Sequence, residues 1–194
     1  MQGETLTQKF CRFLLRLLGW KAVGKTPDLN KYLVIAAYHT SNWDFLYFLL
    51  VRGALQLDVN FLGKHTLFRW PLGVFMRKIG GVPIDRSAPR NFVENAIDAF
   101  KNNQKLALLI APEGTRSFTK YWKTGFYYIA TGANVPIVMG FVDYAKKRGG
   151  LGPLFYPTGD IEADFEAFRE FYADKNGKFP EKNSPPMLRK AKAD

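Results

Sequence analysis

Residues 32–38 read YLVIAAY, a short and uniformly apolar run that predicts a strand buried on both faces of a sheet. The run passes directly into a polar turn, residues 39–44 (HTSNWD), and an apolar pattern at helical spacing follows over Trp43–Leu55. Strand, turn and helix in this order are typical of an α/β unit. In such sheets the ligand site lies beyond the carboxyl ends of the strands, which is where this polar turn falls.

The alternation of strands and helices continues along the chain. Short apolar runs predict further strands over residues 59–62, 81–84, 106–110, 135–142 and 154–156, and helical spacing predicts helices over 65–79, 89–103, 121–131 and 161–172. The pattern predicts an α/β layered domain with a mainly parallel central sheet flanked by helices. We expect this domain to span residues 21–174, with a polar hinge over 21–31 at its start and a basic, linker-like tail over 175–194.

An amphipathic helix is predicted before the domain, within residues 1–20. Its apolar side chains fall on one stripe, formed by Phe10, Phe13, Leu14, Leu17 and Leu18, and its basic side chains lie on another face. This pattern is typical of a helix that lies in the membrane interface, and packing of the stripe on the domain is the alternative. No stretch reaches the roughly 18 apolar residues that a membrane-spanning helix requires.

Composition limits the class of protein. The 194 residues are 47% hydrophobic, so one compact domain can form without disulfides. Cys11 is the only cysteine and the chain has two histidines, so we expect no metal centre and a reducing, cytoplasmic setting. A net charge of +11 favours an anionic partner, such as nucleic acid, an anionic membrane surface or a phosphorylated small molecule. An aromatic content of 15% favours lipid or acyl chains.

His39 and Asp44 form the first candidate for chemistry. A carboxylate that bonds one imidazole nitrogen fixes the tautomer of the ring and leaves the other nitrogen as a base. Alternatively, Ser41 and Asp44 form a variant of the helix capping box, and His39 is an ordinary turn residue. The spacing alone leaves both interpretations open.

The second candidate is the turn at residues 111–117 (APEGTRS), which follows the strand at 106–110. Gly114 permits a sharp turn that exposes backbone N–H groups, Thr115 adds a hydroxyl donor, and Arg116 carries a planar fork suited to phosphate. A polar surface turn with an ion pair is the alternative. Residues 80–86 (GGVPIDR) again place charged side chains directly after a strand.

Taken together, these segments resemble the four sequence blocks of the glycerolipid acyltransferases. The blocks fall in the family's order and spacing, at His39 to Asp44 and at residues 81–86 (GVPIDR), 112–117 (PEGTRS) and 135–138 (VPIV). Over residues 33–142 the chain is similar to a small bacterial member of the 1-acylglycerol-3-phosphate acyltransferase family. The resemblance implies transfer of a fatty acyl group from acyl-CoA or acyl carrier protein to the free hydroxyl of a lysophospholipid, most directly 1-acyl-sn-glycerol-3-phosphate, without a metal or other cofactor.

The resemblance also implies roles for individual residues. His39 would be the general base and Asp44 its orienting partner, and Arg86 and Arg116 would hold the phosphate of the acceptor. The full set implied to bind substrate is Lys64, Arg86, Glu113, Gly114, Thr115, Arg116 and Lys123. Met139 departs from the family pattern, since the fourth block often ends in a second proline.

Other functions stay open at this point. The acceptor could be another lysolipid, such as a lyso-ornithine lipid. A non-catalytic, basic membrane-surface protein and a nucleic-acid-binding protein are alternatives from other classes, although the chain shows no recognition-helix, RNP or zinc-finger pattern. We therefore expect no nucleic-acid partner. We expect a cytoplasmic protein at the inner face of the cell membrane, with a lysophospholipid, an acyl donor and an anionic membrane surface as its partners.

Overall fold

Seven strands form one sheet within the part of the chain that the computed structural model describes, residues 4–84 and 89–189. The strands are β1 (Lys21–Val23), β2 (Lys31–Ala36), β3 (Asn60–Lys64), β4 (Gly81–Ile84), β5 (Leu106–Ile110), β6 (Ile137–Asp143) and β7 (Arg148–Phe155). The helices are α1 (Leu6–Leu17), α2 (Trp43–Leu55), α3 (Leu72–Lys78), α4 (Pro89–Asn102), α5 (Gly125–Ala133) and α6 (Ile161–Tyr172), with 3₁₀ turns at His65–Phe68 and Pro180–Lys182.

The sheet order is β1-β7-β6-β2-β5-β3-β4, and every neighbouring pair is parallel except β6 with β7. The prediction of a mainly parallel sheet flanked by helices is therefore confirmed. Because β2, β5 and β6 run in the same direction, the turns that follow them lie at one edge of the sheet. This edge carries both polar turns that the sequence singled out.

Alternate residues of β2 point into two different cores. Leu33 and Ile35 are fully buried in a cluster with the apolar faces of α4, α5 and α6. Val34 is buried on the opposite face, in a cluster against which Phe48 of α2 packs. The central strand is therefore covered on both sides, as its uniformly apolar sequence predicts.

Two strands differ from the sequence prediction. β1 begins inside the predicted polar hinge, and β7 spans eight residues where only 154–156 was expected to be extended. Glycines hid β7, because they are poor strand formers and carry no periodic pattern. Here they permit close packing, since a Cβ on Gly150 would lie 1.9 Å from the carbonyl oxygen of Val23, and one on Gly152 would lie 2.3 Å from the Phe171 ring.

Helix α1 packs on α2 mainly through a face other than the predicted apolar stripe, of which only Leu14 is partly buried in the contact. Cys11 and Leu15 are buried between the two helices, and Gly53 of α2 makes room for the Cys11 side chain. Phe10 and Phe13 are each 61% exposed. None of the helices in the described ranges has the length and apolar character needed to cross a membrane.

Candidate active site

The two polar turns of the sequence meet at the carboxyl edge of the sheet. β2 and β5 are neighbours, and the turn after each strand contributes one partner to a hydrogen bond between them. The backbone N–H of His39 donates to Glu113 Oε2 at 2.6 Å. This bond fixes the position of the first turn relative to the second.

His39 and Asp44 form a direct side-chain contact. His39 Nδ1 lies 3.0 Å from Asp44 Oδ2, and the imidazole is 35% exposed while the carboxylate is buried. With Nδ1 protonated, the ring donates to the carboxylate and Nε2 is left as the free basic nitrogen. The pair therefore has the arrangement that a general base requires.

Asp44 also serves the start of α2. Its Oδ2 accepts the backbone N–H groups of Thr40 at 2.9 Å and Ser41 at 2.8 Å. The bond from Ser41 resembles one half of a capping box, but the N-cap of α2 is Asn42, which makes no side-chain cap hydrogen bond. Asp44 therefore orders the turn and contacts His39 at once, whereas the predicted capping box at Ser41 is not formed.

Glu113 is buried behind the first turn. Its side chain is 2% exposed, and Oε1 has no hydrogen-bond partner of normal geometry among the described residues. Burial raises the pKa of Glu113 to about 7, although the N–H groups of His39 and Ser184 offset part of that effect, and the charge of Asp44 adds to it. Glu113 therefore supports the turn that carries His39 from within the protein.

The remaining predicted residues of the second turn lie on its outer side. Gly114 adopts a left-handed conformation with φ of +66°, and the Lys123 side chain lies across it, within 2.9 Å of where a Cβ would stand. Thr115 and Arg116 are exposed. Arg116 of the turn and Lys123, which lies across it, are therefore two cations exposed to solvent at this place.

Two predicted residues cannot be placed with the others. Arg86 lies outside the described residues, together with Asp85 of the block at 81–86. Lys64 is the last residue of β3, where it is paired with Ile84 of β4 in the parallel ladder. Its backbone therefore reaches the same edge of the sheet as His39.

An apolar cavity of about 160 Å³ opens beside His39, between the sheet and α2. His39 and Asp44 line one part of it. Most of the wall is apolar and includes Phe45, Phe48, Phe61, Leu109 and Leu151. His39 and Asp44 are therefore adjacent to a space suited to a hydrocarbon chain.

Sequence reasoning missed the contribution of the segment after α6. Ser184 is fully buried, and its carbonyl accepts the indole N–H of Trp122 at 2.6 Å. The N–H of Phe179 donates to Thr40 Oγ1 at 3.2 Å, so the same segment also touches the turn that carries His39. The lysine-rich composition predicted a linker-like tail and gave no sign of these contacts.

The comparisons with known proteins identify the family of the chain. Residues 4–139, more than half of the chain, match the sequence profile of the family described as Acyltransferase. The chain therefore belongs to the Acyltransferase family, it is an acyltransferase, and the predicted resemblance to the glycerolipid acyltransferases is confirmed.

A solved structure shares the fold. It is the crystal structure of the 1-acyl-sn-glycerophosphate (LPA) acyltransferase PlsC from Thermotoga maritima, which matches with a TM-score of 0.61 at 19% sequence identity. The match covers 89% of this chain and 80% of that chain. No curated protein matches the chain.

Proposed function

We propose that the protein moves a fatty acyl group from a thioester of coenzyme A or acyl carrier protein to the free hydroxyl of a lysophospholipid, with 1-acyl-sn-glycerol-3-phosphate as the favoured acceptor. The observation that carries this proposal is the His39–Asp44 contact of 3.0 Å at the rim of the apolar cavity. The name of the Thermotoga maritima enzyme supports the choice of acceptor.

The proposed reaction is a direct transfer with His39 as general base. The acceptor oxygen bonds to the thioester carbonyl carbon as His39 Nε2 takes the hydroxyl proton, and Asp44 stabilises the imidazolium that forms. Collapse of the tetrahedral intermediate breaks the C–S bond, and the proton passes to the departing thiolate. General-base assistance of this kind contributes roughly 10²–10⁴-fold in rate.

The acyl chain is assigned to the apolar cavity beside His39. A cavity of about 150 Å³ with apolar walls holds a molecule the size of benzene, so the 160 Å³ present here holds roughly six carbon atoms. A longer chain would extend beyond the cavity. We assign the phosphate of the acceptor to Arg116 of the second turn and to Lys123, which lies across that turn, together with Lys64 at the end of β3 and Arg86, which follows β4 in the sequence.

Membrane attachment is assigned to the exposed face of α1. Phe10 and Phe13 are 61% exposed and Leu17 is 72% exposed, although the helix is docked through its other face. An exposed apolar stripe bordered by basic residues suits the interface of an anionic membrane. We place the protein at the inner face of the cell membrane, where lysophospholipids and acyl donors meet.

The test is an acyl-transfer assay with a panel of acceptors. The purified protein is incubated with radiolabelled acyl-CoA or acyl carrier protein, and with lysophosphatidic acid, lysophosphatidylglycerol, lyso-ornithine lipid or a simple alcohol. We expect transfer to lysophosphatidic acid at the highest rate. Transfer only to an acceptor without phosphate would contradict the proposed substrate, and the absence of transfer to any acceptor would contradict the proposed activity.

A further inference from the structure

We propose that Tyr144, which lies outside all four sequence blocks, is a positioning residue that holds Asp44 in place for His39. Its hydroxyl donates to Asp44 Oδ1 at 2.8 Å. The kinetic consequence of this contact rests on the proposed function, whereas the positioning itself does not.

The two oxygens of Asp44 are held from different sides. Oδ2 accepts hydrogen bonds from His39 Nδ1 and from the backbone N–H groups of Thr40 and Ser41, all within five residues of Asp44. Oδ1 receives the hydroxyl of Tyr144, which stands 100 residues further along the chain, directly after β6. Because β6 and β2 are parallel neighbours, the turn after β6 lies beside the turn that carries His39.

The hydroxyl of Tyr144 remains a donor throughout the working range of pH. Burial, and then the hydrogen bond and charge of Asp44, raise the pKa of Tyr144 well above its ordinary value. The other titratable groups near Asp44 and Tyr144 are Glu113, from the turn after β5, whose Oε2 accepts the His39 backbone N–H, and Tyr47 of α2, whose ring contacts the Tyr144 ring. Among the described residues, Tyr144 is the donor to Asp44 Oδ1.

The Tyr144 ring is itself fixed on several sides. The Trp20 ring contacts it edge to face with centroids 4.9 Å apart, and the Tyr47 ring does so at 5.5 Å. Trp20 and Tyr47 stack on each other at 3.9 Å, and the Tyr144 backbone N–H donates to the carbonyl oxygen of Asn176 at 2.9 Å. Because Trp20 follows α1, the end of the amphipathic helix packs against the residue that holds Asp44.

A carboxylate held at both oxygens cannot rotate about its own axis. Loss of the Tyr144 hydroxyl would leave Oδ1 buried without that donor and would allow Oδ2 to turn away from His39 Nδ1. The imidazole would then carry its proton on Nδ1 for a smaller share of the time. Nε2 would be the basic nitrogen less often, and the loss would fall on the rate of the chemical step rather than on substrate binding.

The test compares Tyr144→Phe with Tyr47→Phe. Each variant removes one hydroxyl from the same aromatic cluster, but the hydroxyl that bonds Asp44 is that of Tyr144, so Tyr47→Phe is the matched control. The chain has two histidines, so ¹⁵N NMR of the imidazoles can be assigned with a single His65→Gln variant. In Tyr144→Phe we expect a smaller Nδ1-protonated fraction for His39, and in Tyr47→Phe we expect the wild-type fraction.

The kinetic arm uses the best donor and acceptor found for the wild type. A hydrogen bond to a charged group is worth a factor of about 10 to 100, so we expect kcat of Tyr144→Phe to fall by that factor, with both KM values within twofold. Tyr47→Phe should keep kcat within twofold. An unchanged Nδ1-protonated fraction in Tyr144→Phe, or equal losses in the two variants, would overturn the proposal.

Two measurements separate this proposal from the proposed function and from misfolding. The NMR arm needs no turnover. If the wild-type protein transfers no acyl group to any acceptor, and Tyr144→Phe still changes the Nδ1-protonated fraction of His39, the positioning is supported and the acyl transfer is contradicted. The hydroxyl proton of Tyr144 should be protected from solvent exchange in the wild type and should lose that protection in Asp44→Ala. Fast exchange in the folded wild type would overturn the proposal without any Tyr144 variant.

Discussion

Replacing Glu113 by glutamine should remove a pH-dependent loss of stability. The carboxyl is 2% exposed, and its pKa is raised from 4.5 to about 7, chiefly by burial. The folded protein therefore binds this proton more tightly than the unfolded chain does. The contribution of Glu113 to the free energy of unfolding is therefore complete below pH 4.5 and is lost as the pH rises through 7.

The size of the effect follows from the two pKa values. Each pKa unit corresponds to about 1.4 kcal/mol, so the rise from 4.5 to about 7 corresponds to a loss of roughly 3 kcal/mol between pH 4.5 and pH 8. Glutamine keeps an oxygen that can accept the His39 N–H and carries no titrating proton. The free energy of unfolding of Glu113→Gln, relative to wild type, should therefore rise by roughly 2–3 kcal/mol from pH 5 to pH 8.

Urea unfolding at pH 5, 6, 7 and 8 measures this difference. Glu170→Gln is the matched control, because it makes the same change on an exposed face of α6. Its stability relative to wild type should stay constant across the series within about 0.5 kcal/mol. Parallel pH dependences for wild type and Glu113→Gln would refute the reasoning, since they would mean that Glu113 ionises in the folded protein at no cost.

Three further predictions follow from particular contacts. Because Arg116 is assigned to the acceptor phosphate, Arg116→Ala should raise KM for a phosphate-bearing acceptor about ten- to a hundredfold, with kcat nearly constant. An unchanged KM would contradict that assignment. The double substitution Phe10→Ser and Phe13→Ser should weaken binding to anionic vesicles, measured by sedimentation, about tenfold or more. The control Tyr128→Ser, at an exposed position of α5, should leave this binding unchanged. Equal effects of the two changes would contradict attachment through α1. Gly150→Ala should lower the free energy of unfolding by about 2 kcal/mol or more, because the new Cβ would lie 1.9 Å from the carbonyl oxygen of Val23 in β1. A smaller loss, measured by urea unfolding, would contradict that packing.

The central strands were predictable from sequence because their chemistry is uniform. Residues 32–38 and 106–110 are apolar at nearly every position, and only a strand covered on both faces needs that pattern. β7 could not be found in the same way, since its glycines are explained by neighbours distant in sequence, such as Val23 and Phe171. Tertiary packing decides these positions.

The packing of α1 shows a similar limit. The periodicity identified an apolar stripe, but the buried face of the helix is the one that carries Cys11 and Leu15. Cys11 packs against Gly53 of α2, where the missing Cβ leaves space for its side chain. The sequence of α1 alone cannot show that space on another helix. A sequence therefore shows that a helix is amphipathic more readily than it shows which side is docked.

The candidate active site likewise contains one contact that the sequence could predict and one that it could not. The contact between His39 and Asp44 could be anticipated, because the two residues are five apart and a strand end and a helix start can fold them together. Tyr144 could not, because its contact depends on β6 lying next to β2 in the sheet. The sequence signal for it was a tyrosine two residues after the predicted strand at 135–142, and its contact can be inferred only once the strand order is known.

The most direct test of the central claim, that His39 is the base for acyl transfer, is a single-turnover measurement on wild type and His39→Gln. Thiol release from acyl-CoA is followed with saturating lysophosphatidic acid in mixed vesicles, after urea unfolding has shown that the variant is folded. We predict that the rate of the variant is lower by roughly 10²–10⁴-fold. A folded His39→Gln protein that transfers the acyl group within tenfold of the wild-type rate would contradict the account.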